Sequence, residues 1–383
     1  MKAVGIICEY NPFHKGHLHH LNEAKKMFDN SPLIVILSGN FCQRGEPSII
    51  DKWTKTKIAL HYGADIVVEL PFSYATQSAD TFAEGSIKLL NHLKVKNLVF
   101  GSESNDIQKL KDMANIQLND SKYQSIVKKY LDEGINYPTA LSNALEDILD
   151  KQIKTPNDIL GISYIREIQK LNADISPFSI KRTNGYHSLD IENEIASATS
   201  IRKALRENKD VSLNVPEVTH KYLQNDLHFI EDYFPFLKYK IITEINNLHI
   251  YQTVDEGIEN RIKKYIFESN SLEELIMNIK TKRYTYNKIR RMLTHILCNF
   301  TKEEASKKSI NHIRILGFSN LGKEYLNQIK KEIEIPIVTN FEKDNDALNL
   351  ELRVTGVYSS ILDEENKNNL IKSEYKNRPI QKK

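Results

Sequence analysis

The sequence predicts an α/β protein, with an N-terminal Rossmann-like doubly wound parallel sheet followed by a mostly helical C-terminal domain. Three observations carry this. Five short apolar runs in the first half alternate with amphipathic stretches of helical period. Polar clusters recur at the carboxyl ends of those runs, where an open parallel sheet binds its ligand. From about Val215 the alternation stops, and helical patterns rich in Lys, Asn and Tyr take over. The boundaries expected are therefore 1–215 and 216–383, with a helical insertion over about 105–155.

Ala3–Cys8 reads as the first buried strand. Glu9-Tyr10-Asn11-Pro12-Phe13-His14-Lys15-Gly16-His17 follows it and runs into a helical pattern over Leu18–Phe28. Glycine at this turn admits a phosphate close to the backbone, the helix start offers unpaired N–H groups, and the imidazoles donate to phosphoryl oxygens. A zinc site at His14, His17, His19 and His20 is disfavoured, because no third ligand of suitable spacing is nearby. His19 and His20 also suit a plain helix surface.

Runs at Leu33–Leu37, Ile66–Leu70, Asn97–Phe100 and Phe178–Lys181 supply the other strands, and helices are expected near Lys52–His61, Ala79–Leu90 and Ile159–Leu171. Gly101, after the fourth run, is either room for a nucleotide or a tight-turn glycine. Asn157 reads as a helix-capping residue, and Lys181-Arg182 leads into a Gly185-Tyr186-His187 loop. Ser197-Ala198-Thr199-Ser200-Ile201-Arg202 places hydroxyls at a helix start with an arginine on its first turn, an anion-binding arrangement.

Gly317-Phe318-Ser319-Asn320-Leu321-Gly322-Lys323-Glu324 nearly spells a P-loop. Glu stands where Ser or Thr must ligate magnesium, so it reads as a turn and helix start. Lys280–Arg291 carries six basic side chains, two tyrosines and no acid. Phosphate contacts from Lys282, Arg283, Lys288, Arg290 and Arg291, with stacking from Tyr284, would suit RNA. The competing reading is a solvated helix face. The tail Lys367–Lys383 is polar and basic and is expected to be mobile.

Composition excludes some classes. The 383 residues are 40% apolar and 27% charged, with a net charge of +3 that decides nothing about nucleic acid by itself. No apolar run reaches the roughly 20 residues of a membrane helix, and the short first run with Glu9 behind it does not fit a signal peptide. Cys8, Cys42 and Cys298 are too scattered for a disulfide framework or zinc ribbon, which suits a reducing cytoplasm.

Glu9–Leu18, Ser38-Gly39-Asn40-Phe41-Cys42-Gln43-Arg44-Gly45-Glu46-Pro47 with Asp51-Lys52, and Gly63–Pro71 together resemble the tRNA(Met) cytidine acetate ligase family. This family lies within the His-x-Gly-His nucleotidylyltransferases. Pro156–Gly161 and Ile180–Arg182 extend the resemblance, which covers nearly the whole chain.

The resemblance implies an acetate ligase that forms acetyl-AMP and pyrophosphate from ATP and acetate. The acetyl group then passes to N4 of the wobble cytidine of elongator tRNA(Met), giving N4-acetylcytidine. It implies ATP contacts from Ile7, Cys8, Glu9, Tyr10, Asn11, Pro12, Phe13, His14, Lys15, Gly16, His17, Leu18, His19 and His20, with Gly101, Asn157 and Arg182 beyond them. In chemical terms His14 and His17 would stabilise the reacting phosphate, Lys15 and Arg202 would neutralise the others, and Ser197 and Thr199 would hydrogen-bond phosphate oxygens. Magnesium is expected with ATP, without a dedicated protein cage, and no protein partner is implied. The alternatives are a small-molecule nucleotidylyltransferase of the same superfamily and an RNA-binding protein with an inactive nucleotide fold.

Overall fold

The computed structural model describes residues 1–149, 155–182, 196–339 and 346–382. The Gly185-Tyr186-His187 loop lies outside them. In the first half β1 (Val4–Cys8), α1 (Lys15–Met27) and β2 (Leu33–Ser38) are followed by a small antiparallel hairpin, β3 (Phe41–Cys42) and β4 (Glu46–Pro47). Next come α2 (Lys52–His61), β5 (Ile66–Leu70), α3 (Phe72–Ala75), α4 (Ala79–His92) and β6 (Asn97–Ser102). The insertion is three helices, α5 (Ile107–Asn119), α6 (Ser121–Asp132) and α7 (Tyr137–Leu149). The chain then returns through α8 (Pro156–Lys170) to β7 (Ser176–Lys181) and α9 (Ala198–Arg206).

Alternation at period two explains how the sheet is covered on both faces. Ile34 and Ile36 of β2 and Ile66, Val68 and Leu70 of β5 pack with α4 and α8 residues such as Ile87, Leu90, Ile162 and Ile165. Leu33, Val35, Leu37 and Val67 point the other way, onto Leu21 of α1, Ile58 of α2 and Ile201 of α9. Each such fully buried aliphatic side chain contributes about 1.5–3 kcal/mol.

The second half is not purely helical, and the sheet crosses the boundary expected at residue 215. After α10 (Glu217–Tyr222), α11 (Phe234–Thr243), α12 (Ile258–Tyr265), α13 (Leu272–Ile279), α14 (Tyr286–Leu297) and α15 (Lys302–Ser306), the chain re-enters the sheet as β8 (Ile313–Phe318). This strand lies antiparallel to β5, so the sheet is mixed rather than all parallel. The near-P-loop that follows is a plain helix start: Ser319 caps α16 (Asn320–Ile329) by accepting from the Gly322 N–H at 3.1 Å. β9 (Ile337–Val338), α17 (Asp346–Tyr358), α18 (Glu364–Lys376) and β10 (Ile380–Gln381) complete the chain.

The tail expected to be mobile is ordered. β10 pairs with β8, and the Lys382 ammonium donates to the Leu60 carbonyl at 2.6 Å. A buried ion set also ties α18 to the sheet: Lys52 and Arg314 each bridge Glu69 and Glu374, at 2.7, 2.9, 3.1 and 2.6 Å. Lys52 and Glu374, like Glu69 and Arg314, lie hundreds of residues apart, so no local pattern announces those two pairs.

The sheet order is β10-β8-β5-β2-β1-β6-β7, with β9 on β8. The chain reverses direction of growth between β1 and β6, the place where doubly wound sheets bind ligands. These two strands pair only at Val4–Asn97 and Gly5–Leu98, whereas β1 and β2 pair along five residues. Beyond Gly5 the strands part, and a crevice opens toward their carboxyl ends.

Candidate nucleotide site

The crevice is a cavity of about 270 Å3 above the ends of β1, β6 and β7. Its floor is the β1–α1 turn. His14 is the N-cap of α1, in extended conformation, and His17 is the third helical residue. The His14 ring Nδ1 accepts from the His17 N–H at 3.3 Å, and the His17 Nδ1 accepts from the His14 N–H at 3.3 Å. The two side chains thus form a reciprocal capping box, with ring centroids 3.7 Å apart.

This arrangement settles the tautomers. Burial pushes the His14 pKa down to about 3, and nearby Arg182 and Arg202 push the same way. Burial, then His14 and Arg182, lower that of His17. Both rings are therefore neutral near pH 7. With Nδ1 accepting, the single proton of each ring sits on Nε2. Two neutral Nε2–H donors side by side suit an anionic oxygen, and neither brings a counter-charge that must be removed.

His20 fills the gap between the parted strands. Its Nε2 lies 3.2 Å from the Val99 carbonyl of β6, and burial lowers its pKa to about 4. Its role is to close the ladder where β1 and β6 separate. His19, also on the wall, is exposed.

Most expected ATP contacts meet here. Ile7, Cys8, Glu9, Tyr10, Asn11, Gly16, Gly101, Asn157, Arg182, Ser197, Thr199 and Arg202 all line the cavity with the histidines. Four do not. Phe13 is fully buried and stacks on Tyr62 at 5.3 Å, and Leu18 packs into the same core. Pro12 is buried and Lys15, first residue of α1, donates its main-chain N–H to the Asn214 carbonyl at 3.0 Å. These residues hold the turn in place rather than form its wall.

Three local readings also change. Gly101 lies in β6, not in a turn, and a Cβ there would sit 3.3 Å from the Arg182 side chain, so it makes room beneath that arginine. The cap of α8 is Thr155, with Pro156 at the first helical position. Asn157 instead donates to Glu103 at 2.6 Å and accepts from Arg182 at 3.4 Å, which holds that guanidinium over the crevice. Ser197 does cap α9, accepting from the Ser200 N–H at 3.1 Å, but Arg202 is its fifth residue and so lies on the second turn. Arg202 donates to the Asn11 carbonyl at 2.7 Å and pairs with Glu46 at 2.6 Å.

Sequence reasoning missed two groups. The apolar wall of Phe82, Phe100, Leu160, Tyr164 and Ile180 looks like ordinary core in the chain and has no linear signature. The hairpin residues Gln43, Arg44 and Glu46 stood inside a quoted motif without an assigned role. Gln43 donates its N–H to the half-buried Glu9 carboxylate at 2.5 Å, fixing the hairpin over the β1 end. Burial raises the Glu9 pKa, against the Gln43 hydrogen bond.

The basic segment is more divided than its composition suggests. Lys282 and Arg283 are exposed. Tyr284 is buried, and its hydroxyl donates to the Asp255 carbonyl at 2.7 Å, so its ring is closed to a nucleobase. Lys288 lies 3.8 Å over that ring, Arg290 pairs with Glu46 at 2.8 Å, and burial lowers the Arg291 pKa to about 10. The RNA reading therefore keeps Lys282 and Arg283 and loses its stacking tyrosine.

Comparison with known proteins supplies the lineage. A family model described as HIGH Nucleotidyl Transferase matches residues 1–374. A tRNA(Met) cytidine acetate ligase of Geobacillus sp. (strain WCH70) is 40% identical, over 99% of this chain and 100% of its own. One of Clostridium novyi (strain NT) is also 40% identical, over 99% of each chain. The chain belongs to the tRNA(Met) cytidine acetate ligase family. The crystal structure of Thermotoga maritima TmcAL bound with alpha-thio ATP superposes with a TM-score of 0.90 and 32% identity, over 100% of this chain and 99% of that one. The apo form of the same enzyme gives 0.91 and 31% over the same shares. The mixed sheet thus matches these solved structures.

Proposed function

We propose that this chain is an ATP-dependent ligase that acetylates N4 of the wobble cytidine of elongator tRNA(Met). The observation that carries the reading is the pair of neutral Nε2–H donors of His14 and His17 in a chain matched end to end by tRNA(Met) cytidine acetate ligases. A carboxylate oxygen of acetate attacks the α-phosphorus of ATP. The bond from that phosphorus to the bridging oxygen breaks, and pyrophosphate leaves with the electron pair, giving acetyl-AMP. The cytidine N4 then attacks the acetyl carbon, the acyl–oxygen bond to AMP breaks, and N4 loses a proton.

Each residue has a physical task in this scheme. His14 and His17 donate to the α-phosphoryl oxygens as charge accumulates on them, a role in which preorganised neutral donors need no reorganisation. Arg202 faces the leaving pyrophosphate, and Arg182 with Gly101 bounds the nucleoside end. Among the described residues no cluster of three His, Cys, Asp or Glu side chains could hold a metal. The wall acids Glu9 and Glu46 are committed to Gln43 and to arginines. Magnesium, accompanying ATP, would travel on the triphosphate.

Lys282 and Arg283 supply the exposed charge for tRNA, and a tRNA substrate places the reaction in the cytoplasm. No helix among the described residues is long and apolar enough to cross a membrane. The test is incubation with ATP, labelled acetate and total tRNA, followed by nucleoside analysis. Label in N4-acetylcytidine is expected. AMP transferred to a small acceptor would instead favour a small-molecule nucleotidylyltransferase.

A further inference from the structure

We infer that Glu46 is a positioning residue for Arg202, and that an Arg202–Glu46–Arg290 bridge fixes the phosphate-site arginine from the helical half of the molecule. Glu46 stands at the start of β4, on the wall of the cavity, with its side chain 9% exposed. One carboxylate oxygen takes Arg202 at 2.6 Å, and the other takes Arg290 of α14 at 2.8 Å. Asn11 closes the ring: its carbonyl accepts from Arg202 at 2.7 Å, while its amide donates to Pro47 at 3.4 Å and its Oδ1 takes the Ile49 N–H at 2.7 Å. The Arg202 guanidinium is thus held by two loops, the β1–α1 turn and the hairpin, that are themselves tied together through Asn11.

The approach of Arg290 to Glu46 is set by backbone contact. Gly45 has φ +72°, and a Cβ built on it would lie 2.3 Å from the main-chain nitrogen of Arg291. The hairpin tip therefore rests directly on the α14 backbone, where only glycine fits. Two guanidiniums brought this close would repel without an anion between them, and Glu46 supplies it. Burial alone would raise the Glu46 pKa, but Arg202, Arg290 and Arg44 together hold it below the usual carboxylate range. The bridge keeps a net charge of one positive unit facing the crevice, on a side chain with little freedom to wander.

A group that only aims Arg202 has a distinctive kinetic signature. It matters most where charge moves onto the leaving pyrophosphate, and least for ground-state binding, because its own negative charge gives ATP nothing. Loss of Glu46 should therefore appear in kcat rather than in KM. It should also vanish when Arg202 is already gone.

The experiment uses the full chain as Glu46→Gln, Glu46→Asp, Arg202→Ala, the double variant Glu46→Gln/Arg202→Ala, and Arg290→Met. It reads acetate-dependent ATP–pyrophosphate exchange, the Kd for α,β-methylene-ATP, and Tm. Glu46→Gln should lower exchange kcat by about 10- to 100-fold with the ATP KM moved by less than about threefold. In the Arg202→Ala background the same change should lower kcat by less than about threefold. Glu46→Asp keeps the charge but is one methylene short, and should recover part of the loss. Arg290→Met should give the same kcat-only pattern at about three- to tenfold.

A Glu46→Gln loss that multiplies in full with that of Arg202→Ala would overturn the proposal, as would wild-type kcat or a loss explained by a matching fall in folded fraction. Arg290→Met that weakened tRNA binding and left exchange untouched would remove α14 from the bridge. The proposal rests on the function proposed above, and the two fail separately. A wild-type chain that binds α,β-methylene-ATP without acetate-dependent exchange would sink the acetate reading. Glu46 would then be judged from Tm: a Glu46→Gln loss that disappears in the Arg202→Ala background supports the bridge, and one that persists there, or no loss at all, overturns it.

Discussion

The β1–α1 turn and the Lys280–Arg291 segment are both short, polar and rich in nitrogen donors, yet they do opposite things with them. In the turn, each histidine uses Nδ1 to cap the helix and keeps its Nε2–H for a ligand. In the basic segment, Tyr284 gives its hydroxyl to the loop before α12, Arg290 gives its charge to Glu46, and Arg291 is half-buried. One stretch of chain closes its own structure and leaves function over; the other is consumed by packing two halves together. Composition cannot separate these cases, because donors committed inside a fold and donors offered to a ligand are the same residue types.

The strongest way to break this contrast is His17→Ala. Removing one preorganised donor should reduce acetate-dependent pyrophosphate exchange by about 100-fold or more, with the Kd for tRNA nearly unchanged. If tRNA affinity collapsed in parallel, His17 would belong to the scaffold or the RNA surface, and the turn would be no better than the basic segment.

The same contrast explains what could be read in the sequence. Strand positions such as Ile66–Leu70 and helix positions such as Lys52–His61 match the structure residue for residue, since each obeys a local period. The cradle was legible because its ligating atoms fall within a few residues of one turn. Strand β8 was not: Ile313–Leu316 reads like any apolar run, and its place beside β5 depends on Arg314 meeting Glu69 and Glu374 from distant segments. The tail likewise looked disordered because Glu374 is one acid among lysines, and its burial against Lys52 is a tertiary fact. Glu46 was invisible for the same reason, with partners in α9 and α14.

The second test divides the basic segment itself. Lys282→Ala with Arg283→Ala should lower the salt slope of tRNA binding by about 0.7–0.9 per charge removed, and acetyl-AMP formation without tRNA should persist. Arg290→Ala with Arg291→Ala should do less to the slope and more to exchange. An equal flattening by both pairs would show that Arg290 and Arg291 reach RNA after all.

Neutral histidines also occur in the helical half, outside the basic segment, and pH sharpens the comparison. Burial lowers the His228 pKa to about 3 and that of His295 to about 4, although His295 has carbonyl partners at Thr76 and Gln252 that favour its proton. Above pH 6.5 these rings are neutral folded or unfolded, and they contribute no pH dependence. Below it the unfolded chain binds more protons, so stability falls by about 1.4 kcal/mol per pH unit per histidine until the folded pKa is reached. Denaturant unfolding should therefore show stability declining from pH 6.5 toward 4. The kcat/KM for exchange should have no break near 6.5 from His14, whose ring stays neutral down to about pH 3. A stability curve flat across this range would mean that these rings are charged in the fold.

The smallest effect expected is from the cysteines, and it bears on whether the turn acts by charge alone. Cys8 lies at the end of β1 on the cavity wall, Cys42 sits in the hairpin beneath Glu9, and Cys298 belongs to the helical half; all three are buried free thiols. Burial raises the Cys8 pKa to about 12, and it raises Cys42 as well, with Glu9 adding to the effect. A thiol so far from its thiolate is a poor nucleophile, and Lys55, whose charge acts on both, has its ammonium committed to the carbonyls of Glu9, Ser38 and Gly39. Acetyl transfer should then run through free acetyl-AMP, with no enzyme thioester. Cys42→Ser should keep exchange and tRNA acetylation within about threefold, the loss being that of placing a hydroxyl in an apolar site. Chemically prepared acetyl-AMP should acetylate tRNA with no ATP present. Labelled acetate recovered on denatured protein, and absent from the Cys42→Ser variant, would overturn this: the hairpin would be a covalent acyl carrier, and the histidine pair would serve only the first half of the reaction.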